Sequence, residues 1–375
     1  MMEPIRVLHN IASLHFGGSQ AFVMNIYDNI DREKVQFDFI VTPEERKDLY
    51  DKVEQMGGRI FVCPKYTGKN HFAFCKWWDD FFTEHPEYHV IHGHVRSTAS
   101  IYLEIAKKHG LVTIAHSHST SNGSGFSVVV KDIMQRPIRH QADYLFACSD
   151  KAGKWLFGEK ALTQPNYRMI PNGVDLQRFA FNNEKRKQMR NDLGINKDTF
   201  VLGHVGRITV PKNHKFLVEL FAEYHKMNQN SKLLLVGGGE LFEEVKQQIS
   251  QLGINDAVVM VGSKTNTEDY YQAMDVFVFP SLWEGLPVSV VEAQANGLPC
   301  LLSDTITRDV DLTDLVSYFP LDNKAMWDKG IKSAMSKIRS EASKDNEKQL
   351  APFDSRKVAM SLQEFYLEQE KSTSE

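Results

Sequence analysis

Two glutamates separated by seven residues stand in Trp283-Glu284-Gly285-Leu286-Pro287-Val288-Ser289-Val290-Val291-Glu292. Carboxylates accept paired hydroxyl groups, so a loop glutamate and a helix glutamate can hold different parts of one polyhydroxylated ligand. Pro287 suits the first position of a helix and Gly297 suits its C-terminal stop. The string therefore predicts a helix with Glu292 about two turns in. Amides around Leu286, Val288 and Ser289 at such an N-terminus have no intrahelical acceptor and favour an anion or a sugar oxygen. Upstream, Gly206-Arg207 and Lys212 combine a forked guanidinium with a compact ammonium, a pair suited to a diphosphate. Near the start of the chain, Gly17-Gly18-Ser19-Gln20 lets backbone approach an anion, although two glycines serve a plain tight turn equally well. The full G-x-G-x-x-G dinucleotide pattern is absent.

Histidines form a second group. His92-Gly93-His94 and His116-Ser117-His118 have the i, i+2 spacing that puts both rings on one face of a strand, as in some zinc sites. No Asp or Glu is placed by the sequence to complete a metal shell. The alternative reading makes His92, His94 and His118 polar groups lining a cleft or capping strand ends. Asp309-Val310-Asp311 has a D-x-D form, but a three-residue match in a charged loop reads as solvated surface. No metal is expected.

The elements that must position these residues alternate. Strand-like runs at Ile5–Ile11, Phe37–Val41, Arg59–Cys63, Val90–His94, Val112–His116 and Tyr144–Ser149 are separated by helix-length segments. A second series follows at Phe200–Val205, Lys232–Val236, Ala257–Val261, Asp275–Pro280 and Pro299–Ser303. This rhythm predicts α/β architecture with parallel strands and crossover helices. Turn chemistry at Pro171-Asn172-Gly173 and a charge-dense stretch from Asn182 to Lys197 place the junction near 172–198. Helical periodicity returns from Ser355 to Leu367. The expected division is 1–172, 173–353 and a terminal helix in 354–375. Ligand is expected in the cleft between two doubly wound domains, at the carboxyl ends of their strands.

Composition excludes several classes. The chain has 375 residues, 44 Lys+Arg against 48 Asp+Glu, 42% hydrophobic and 25% charged side chains. That is ordinary globular usage rather than disorder, and no basic excess marks a nucleic-acid binder. Cys63, Cys75, Cys148 and Cys300 are scattered, which reads as reduced thiols. Neither a spanning helix nor a signal peptide is legible, so the expectation is a cytoplasmic protein. Apolar and basic residues within 123–139, and the stretch Phe72–Trp78, have two readings: a lip resting on a membrane surface, or a loop and a buried helix face.

Taken with Ile170–Asp175, Val236–Gly239 and Asp275–Ser281, the Glu284–Glu292 string resembles the E-x7-E region of the retaining glycosyltransferases of family 4. The resemblance covers about residues 5–303 and the terminal helix. It implies the glycosyltransferase-B fold, two Rossmann-like domains with the last helix crossing back to the first. It also implies a hexosyltransferase using a nucleotide-diphosphate sugar, UDP in the commonest case, without a metal. The acceptor would be a hydroxyl of a surface polysaccharide or a lipid-linked glycan, at the inner face of the membrane. By resemblance, Arg207 and Lys212 bind the diphosphate, helped by amides of Gly17, Gly18, Leu286, Val288 and Ser289. Glu292 holds the ribose, Glu284 and His116 meet the transferred sugar, and Lys264 and Thr265 cradle the base beside Gly238. The rival expectations are a nucleotide-sugar epimerase, a non-catalytic nucleotide-sugar-binding module and, weakest, a dehydrogenase.

Overall fold

The computed structural model describes residues 3–15, 18–43, 45, 49–118, 134–336, 339 and 346–373. The chain forms two compact units, Met1–Gly173 with Ser355–Glu375, and Val174–Asp354. Each is built round one parallel sheet.

In the first unit the strands are β1 (Ile5–Ala12), β2 (Val35–Val41), β3 (Ile60–Val62), β4 (Tyr88–Gly93), β5 (Val112–Ser117), β6 (Tyr144–Ala147) and β7 (Tyr167–Met169). Their order is β3-β2-β1-β4-β5-β6-β7, and every pair is parallel. Val7, Leu8, Phe37, Phe39, Ile91 and Ile114 are fully buried on these strands, as a sheet covered on both faces requires. The helix Ser355–Thr373 supplies Val358, Ala359, Leu362, Phe365 and Tyr366 to the same core. This is the face that the 3.6-residue periodicity of the sequence predicts.

The second unit holds β8 (Phe200–Val205), β9 (Ser231–Val236), β10 (Val258–Met260), β11 (Val276–Phe279), β12 (Cys300–Ser303) and β13 (Val316–Phe319), ordered β10-β9-β8-β11-β12-β13. These are the two Rossmann-like units expected. Two strands escape the sequence reading, β7 (Tyr-Arg-Met) and β13 (Val-Ser-Tyr-Phe). Both are short sheet-edge strands without a buried apolar run, so neither carries the period that marks the others.

The charge-dense stretch is not a linker. It forms the helix Asn183–Asp192, capped by the Asn182 side chain. Arg190, 3% exposed, donates to the carbonyls of Ala273 and Thr199 and to Asp275 Oδ2 at 2.7 Å. The segment is thus pinned to the sheet of the second unit, and the division between units falls at Gly173/Val174, at the start of the expected junction region.

A buried acid organises the first unit in the same way. Asp38 on β2 is fully buried and accepts from both Nε and Nη2 of Arg6, the Arg59 amide and the Tyr88 hydroxyl, all within 2.6 Å. Removing the charge leaves a guanidinium facing a neutral amide inside the protein. Asp38→Asn is expected to cost the first unit about 2–4 kcal/mol, discounted because Arg6 is partly exposed. Scanning calorimetry checks it: the transition of the first unit moves down, and that of the second unit stays in place.

Candidate active site

The loops after β8, β9 and β10 are laced together by backbone. Gly206 N donates to Val236 O, Ile208 N to Gly238 O and Gly237 N to Gly262 O, at 2.8–3.0 Å. Gly237 has φ +148°, and a Cβ there would lie 2.0 Å from the Gly206 carbonyl oxygen. A Cβ on Gly238 would press on Ser263 Oγ. The glycine run is therefore a close-approach device that holds three phosphate-side loops in contact.

Arg207 projects from this seam with 81% of its side chain exposed, and its nearest acid, Glu240, is 4.0 Å away. Lys212 ends a 3-10 turn (Val210–Lys212), followed by Asn213 in the left-handed region and the helix His214–Met227. The turn is fixed to the β11 loop by Leu282 N to Pro211 O and Asn213 Nδ2 to Pro280 O. This brings Lys212 Nζ 2.7 Å from Glu284 Oε1, with the two side chains 17% and 15% exposed. Oε1 is buried, so the ammonium is its charge partner. The ammonium also sits 4.5 Å from the Phe279 ring centroid, a cation–π contact. Beneath it, His204 and His214 are buried and pushed far from protonation. For His214 the fall is to about 4, caused by burial and then by Lys212. Positive charge in this corner is confined to Lys212 and Arg207.

The helix carrying the second glutamate is Val288–Ala295, shorter at its start than the sequence suggests. Pro287 is its N-cap rather than its first residue, and no side chain caps it. Its first-turn amides, Val288 and Ser289 among them, have no intrahelical acceptor. Glu292 lies about one turn in, not two. Asn296 and Gly297 (φ +72°) close the helix, with Leu298 N bonding Ala293 O. Leu286 is buried, and Val288 and Ser289 are half-buried.

Glu292 Oε2 accepts from the Tyr271 hydroxyl at 2.8 Å. Burial raises its pKa to about 7, against the opposing pull of Tyr271, Arg178 and Lys212. Arg178 pairs with Glu268 and donates to the Thr265 carbonyl, fixing the loop that bears the exposed side chains of Lys264 and Thr265. Sequence reasoning missed Tyr271 and Arg178. Neither belongs to a glycine or glutamate motif, and only the fold sets them against Glu292.

All ten predicted residues from Arg207 to Glu292 thus belong to the second unit. Gly18 and His116 belong to the first, Gly18 opening the helix Gly18–Asn29. Gly17 lies outside the described residues, as does most of 123–139. His92 and His94 do not line a cleft. With His9, His116 and His118 they form an interlocked cluster: His9 Nδ1 to His94 Nε2 is 3.1 Å, His92 Nε2 to His116 Nδ1 is 3.0 Å and His94 Nδ1 to His118 Nε2 is 2.7 Å. Tyr366 of the C-terminal helix reaches His92 Nδ1 at 2.7 Å. Burial first, then neighbouring groups, holds all five rings well below their ordinary pKa, His118 at about 3. His9 was not singled out in the sequence because it has no partner two residues away. Asp309 is half-buried and Asp311 exposed.

A cavity of about 710 Å3 opens in the first unit, lined by Asn10, Thr42, Tyr66, Phe74, Trp78 and Ser97 among others. The Phe72–Trp78 stretch, read two ways from sequence, turns both ways within the helix His71–Glu84: Phe74 and Trp78 point inward, whereas Phe72 is 88% exposed. Among the described residues no helix is long and apolar enough to cross a membrane.

Comparison with known proteins agrees with this geometry. Residues 16–178 match the family model described as Glycosyltransferase Family 4, and residues 185–342 match that described as Glycosyl transferases group 1. A Bacillus subtilis protein named as the glycosyltransferase EpsF is 35% identical over 82% of this chain and 81% of its own length. An Escherichia coli UDP-Gal:alpha-D-GlcNAc-diphosphoundecaprenol alpha-1,3-galactosyltransferase is 28% identical over 58% of each chain. In fold, the chain resembles Anabaena Alr3699/HepE solved with UDP-glucose, at TM-score 0.78 and 18% identity over 97% of this chain and 99% of the other. With both halves matched and a relative of this identity over most of its length, the chain belongs to the family 4 glycosyltransferases.

Proposed function

We propose that the protein transfers a hexose, with retention of configuration, from a UDP-sugar to a hydroxyl of a surface polysaccharide or lipid-linked glycan. The carrying observation is the constellation of Lys212 on its 3-10 turn, Glu284 in the loop after β11 and Glu292 on the helix Val288–Ala295, with the exposed Arg207 on the adjoining loop. Lys212 and Arg207 stabilise charge developing on the departing diphosphate, together with the uncapped start of the helix Val288–Ala295, so that no metal is required for transfer. Glu292 accepts the ribose hydroxyls, and Glu284, held by Lys212, meets the transferred sugar. Lys264, Thr265 and Gly238 take the base side. UDP as the carrier is supported by the names of the relatives with UDP donors or UDP ligands. The cavity in the first unit supports an acceptor there, and a lipid-linked acceptor would draw the enzyme to the inner face of the membrane. His116 is assigned to the donor sugar by family resemblance.

Lys212→Ala is expected to lower kcat/KM for transfer by at least about 100-fold, equivalent to some 3 kcal/mol of lost transition-state stabilisation, with the melting temperature preserved. Near-normal turnover would sink the assignment. The assay is sugar transfer from labelled UDP-hexoses, with the anomer of the product read by NMR. Donor incubated without acceptor serves as the control, because an isomerised sugar in that control would favour an epimerase instead.

A pH series tests Glu292 separately. Its folded pKa of about 7 lies above the ordinary 4.5, so the folded chain keeps a proton that the unfolded chain has lost. Ionisation therefore subtracts stability progressively from about pH 4.5 to 7, and the full cost is present above 7. Glu292→Gln is expected to gain in melting temperature over the parent as pH rises from 5 to 8. UDP affinity of the parent should rise across pH 6–8 as the carboxylate forms, and that of the variant should be weak and flat. Isothermal titration and thermal shift measure both.

A further inference from the structure

The first unit buries five neutral imidazoles in mutual contact, an arrangement that transfer chemistry in the second unit leaves unexplained. Two groups of three, His9-His92-His94 and His94-His116-His118, each present one nitrogen per ring within 4.8 Å of the others. The groups differ in what remains available. Both nitrogens of His92 are engaged, by Tyr366 and by His116, so the inner group cannot act without breaking bonds on a buried ring.

In the outer group each ring is gripped from behind. His94 Nε2 rests on His9 Nδ1, and His116 Nδ1 rests on His92 Nε2. His118 stands beside Asn172. His118 Nδ1 and Asn172 Oδ1 are both buried and neither has a hydrogen-bond partner, so a small ring movement can pair them. One nitrogen of each ring faces the others: His94 Nδ1 and His118 Nε2, which share one hydrogen bond that an ion would replace, and the buried, unpartnered His116 Nε2. Three forward nitrogens with three backing groups is how histidine metal sites are held, each non-ligating N–H bound to an acceptor that fixes tautomer and orientation.

We propose that His94, His116 and His118 bind one divalent transition-metal ion of the zinc class, through Nδ1, Nε2 and Nε2 respectively, with His9, His92 and Asn172 holding the rings. The fourth position lies on the side of His118, the least buried of the three. Proton positions close: His94 donates Nε2–H to His9, His118 donates Nδ1–H to Asn172, and His116 donates Nδ1–H to His92, which passes its own Nδ1–H to Tyr366 Oη. Tetrahedral zinc with Zn–N near 2.0–2.1 Å needs nitrogens about 3.4 Å apart. The His94–His118 contact of 2.7 Å therefore opens by about 0.7 Å on loading. The low basicity of the cluster keeps lone pairs ready at neutral pH. An all-imidazole shell favours zinc, cobalt, nickel or copper over magnesium. This site uses none of the cations or the helix terminus of the donor reading, but it shares His116 with it, so the ion and the transferred sugar would compete for His116 Nε2.

The test uses the full chain stripped by chelator, then titrated with Zn2+ by calorimetry and with Co2+ by visible absorption. The expected result is one ion per chain with a tetrahedral cobalt spectrum. Affinity should be weakened at least about 100-fold by His94→Ala or His118→Ala and unchanged by His71→Ala, whose ring lies outside the cluster. UDP affinity, read in parallel, should stay within about two-fold on zinc loading, which separates failure here from failure of the donor assignment. Millimolar binding, Mg2+ binding as tightly as Zn2+, or indifference to both cluster variants would overturn the proposal. Where circular dichroism shows a variant unfolded, X-ray absorption of the zinc-loaded parent decides: three imidazole nitrogens uphold the site, and a shell of fewer overturns it.

Discussion

A parallel sheet covered on both faces has one edge at which every strand delivers its carboxyl end, and chemistry is confined to that edge. Strand interiors are mainly apolar, and the polar groups buried there, such as Asp38, are held by partners, so groups meant for a ligand gather where the chain leaves the core. Arg207 and Lys212 follow β8, the glycine run follows β9, Lys264 and Thr265 follow β10, and Glu284 follows β11. In the first unit register pairs His9 on β1 with His92 on β4, and His116, two residues beyond the β5 partner of His92, reaches back to it through its side chain.

The second unit manages charge by keeping it few and mostly paired. Lys212 and Glu284 neutralise each other at rest, and Arg178 is matched by Glu268. Glu292 is raised toward neutrality by burial, which outweighs the pull of Tyr271, Arg178 and Lys212. Arg207 is an exposed cation of this region, and Lys212 is engaged by Glu284; under the proposed function a bound diphosphate would compete with Glu284 for that one ammonium.

Most of this was legible from residues. Eleven of the thirteen strands stand out as short β-branched or aromatic runs. Nine do so because burial in the sheet demands apolar sequence, and the edge strands β3 and β10 because they are apolar without being fully buried. The Glu284–Glu292 string, Arg207 and Lys212 stand out because anion and hydroxyl chemistry needs those types near glycine and helix starts. What sequence could not supply is cross-strand adjacency. Tyr271 and Arg178 reach Glu292 from separate helices, and His9 joins its cluster from a strand more than 80 residues away. The stretch 182–197 reads as part of the junction because it is dense in charge, whereas it forms a helix whose Arg190 bonds buried carbonyls and Asp275.

The helix Ser355–Thr373 completes the core of the first unit, yet all of Val174–Asp354 lies between that helix and the strands it covers. On the ribosome the second unit therefore emerges, and can fold, while the first still shows the apolar faces of Phe37, Phe146 and Val90 that Tyr366, Phe365 and Leu362 will cover. The half made first is the half finished last. Over that interval the nascent chain carries an exposed hydrophobic surface of the kind that recruits chaperones or invites aggregation, and the speed of synthesis through the second unit sets how long it lasts.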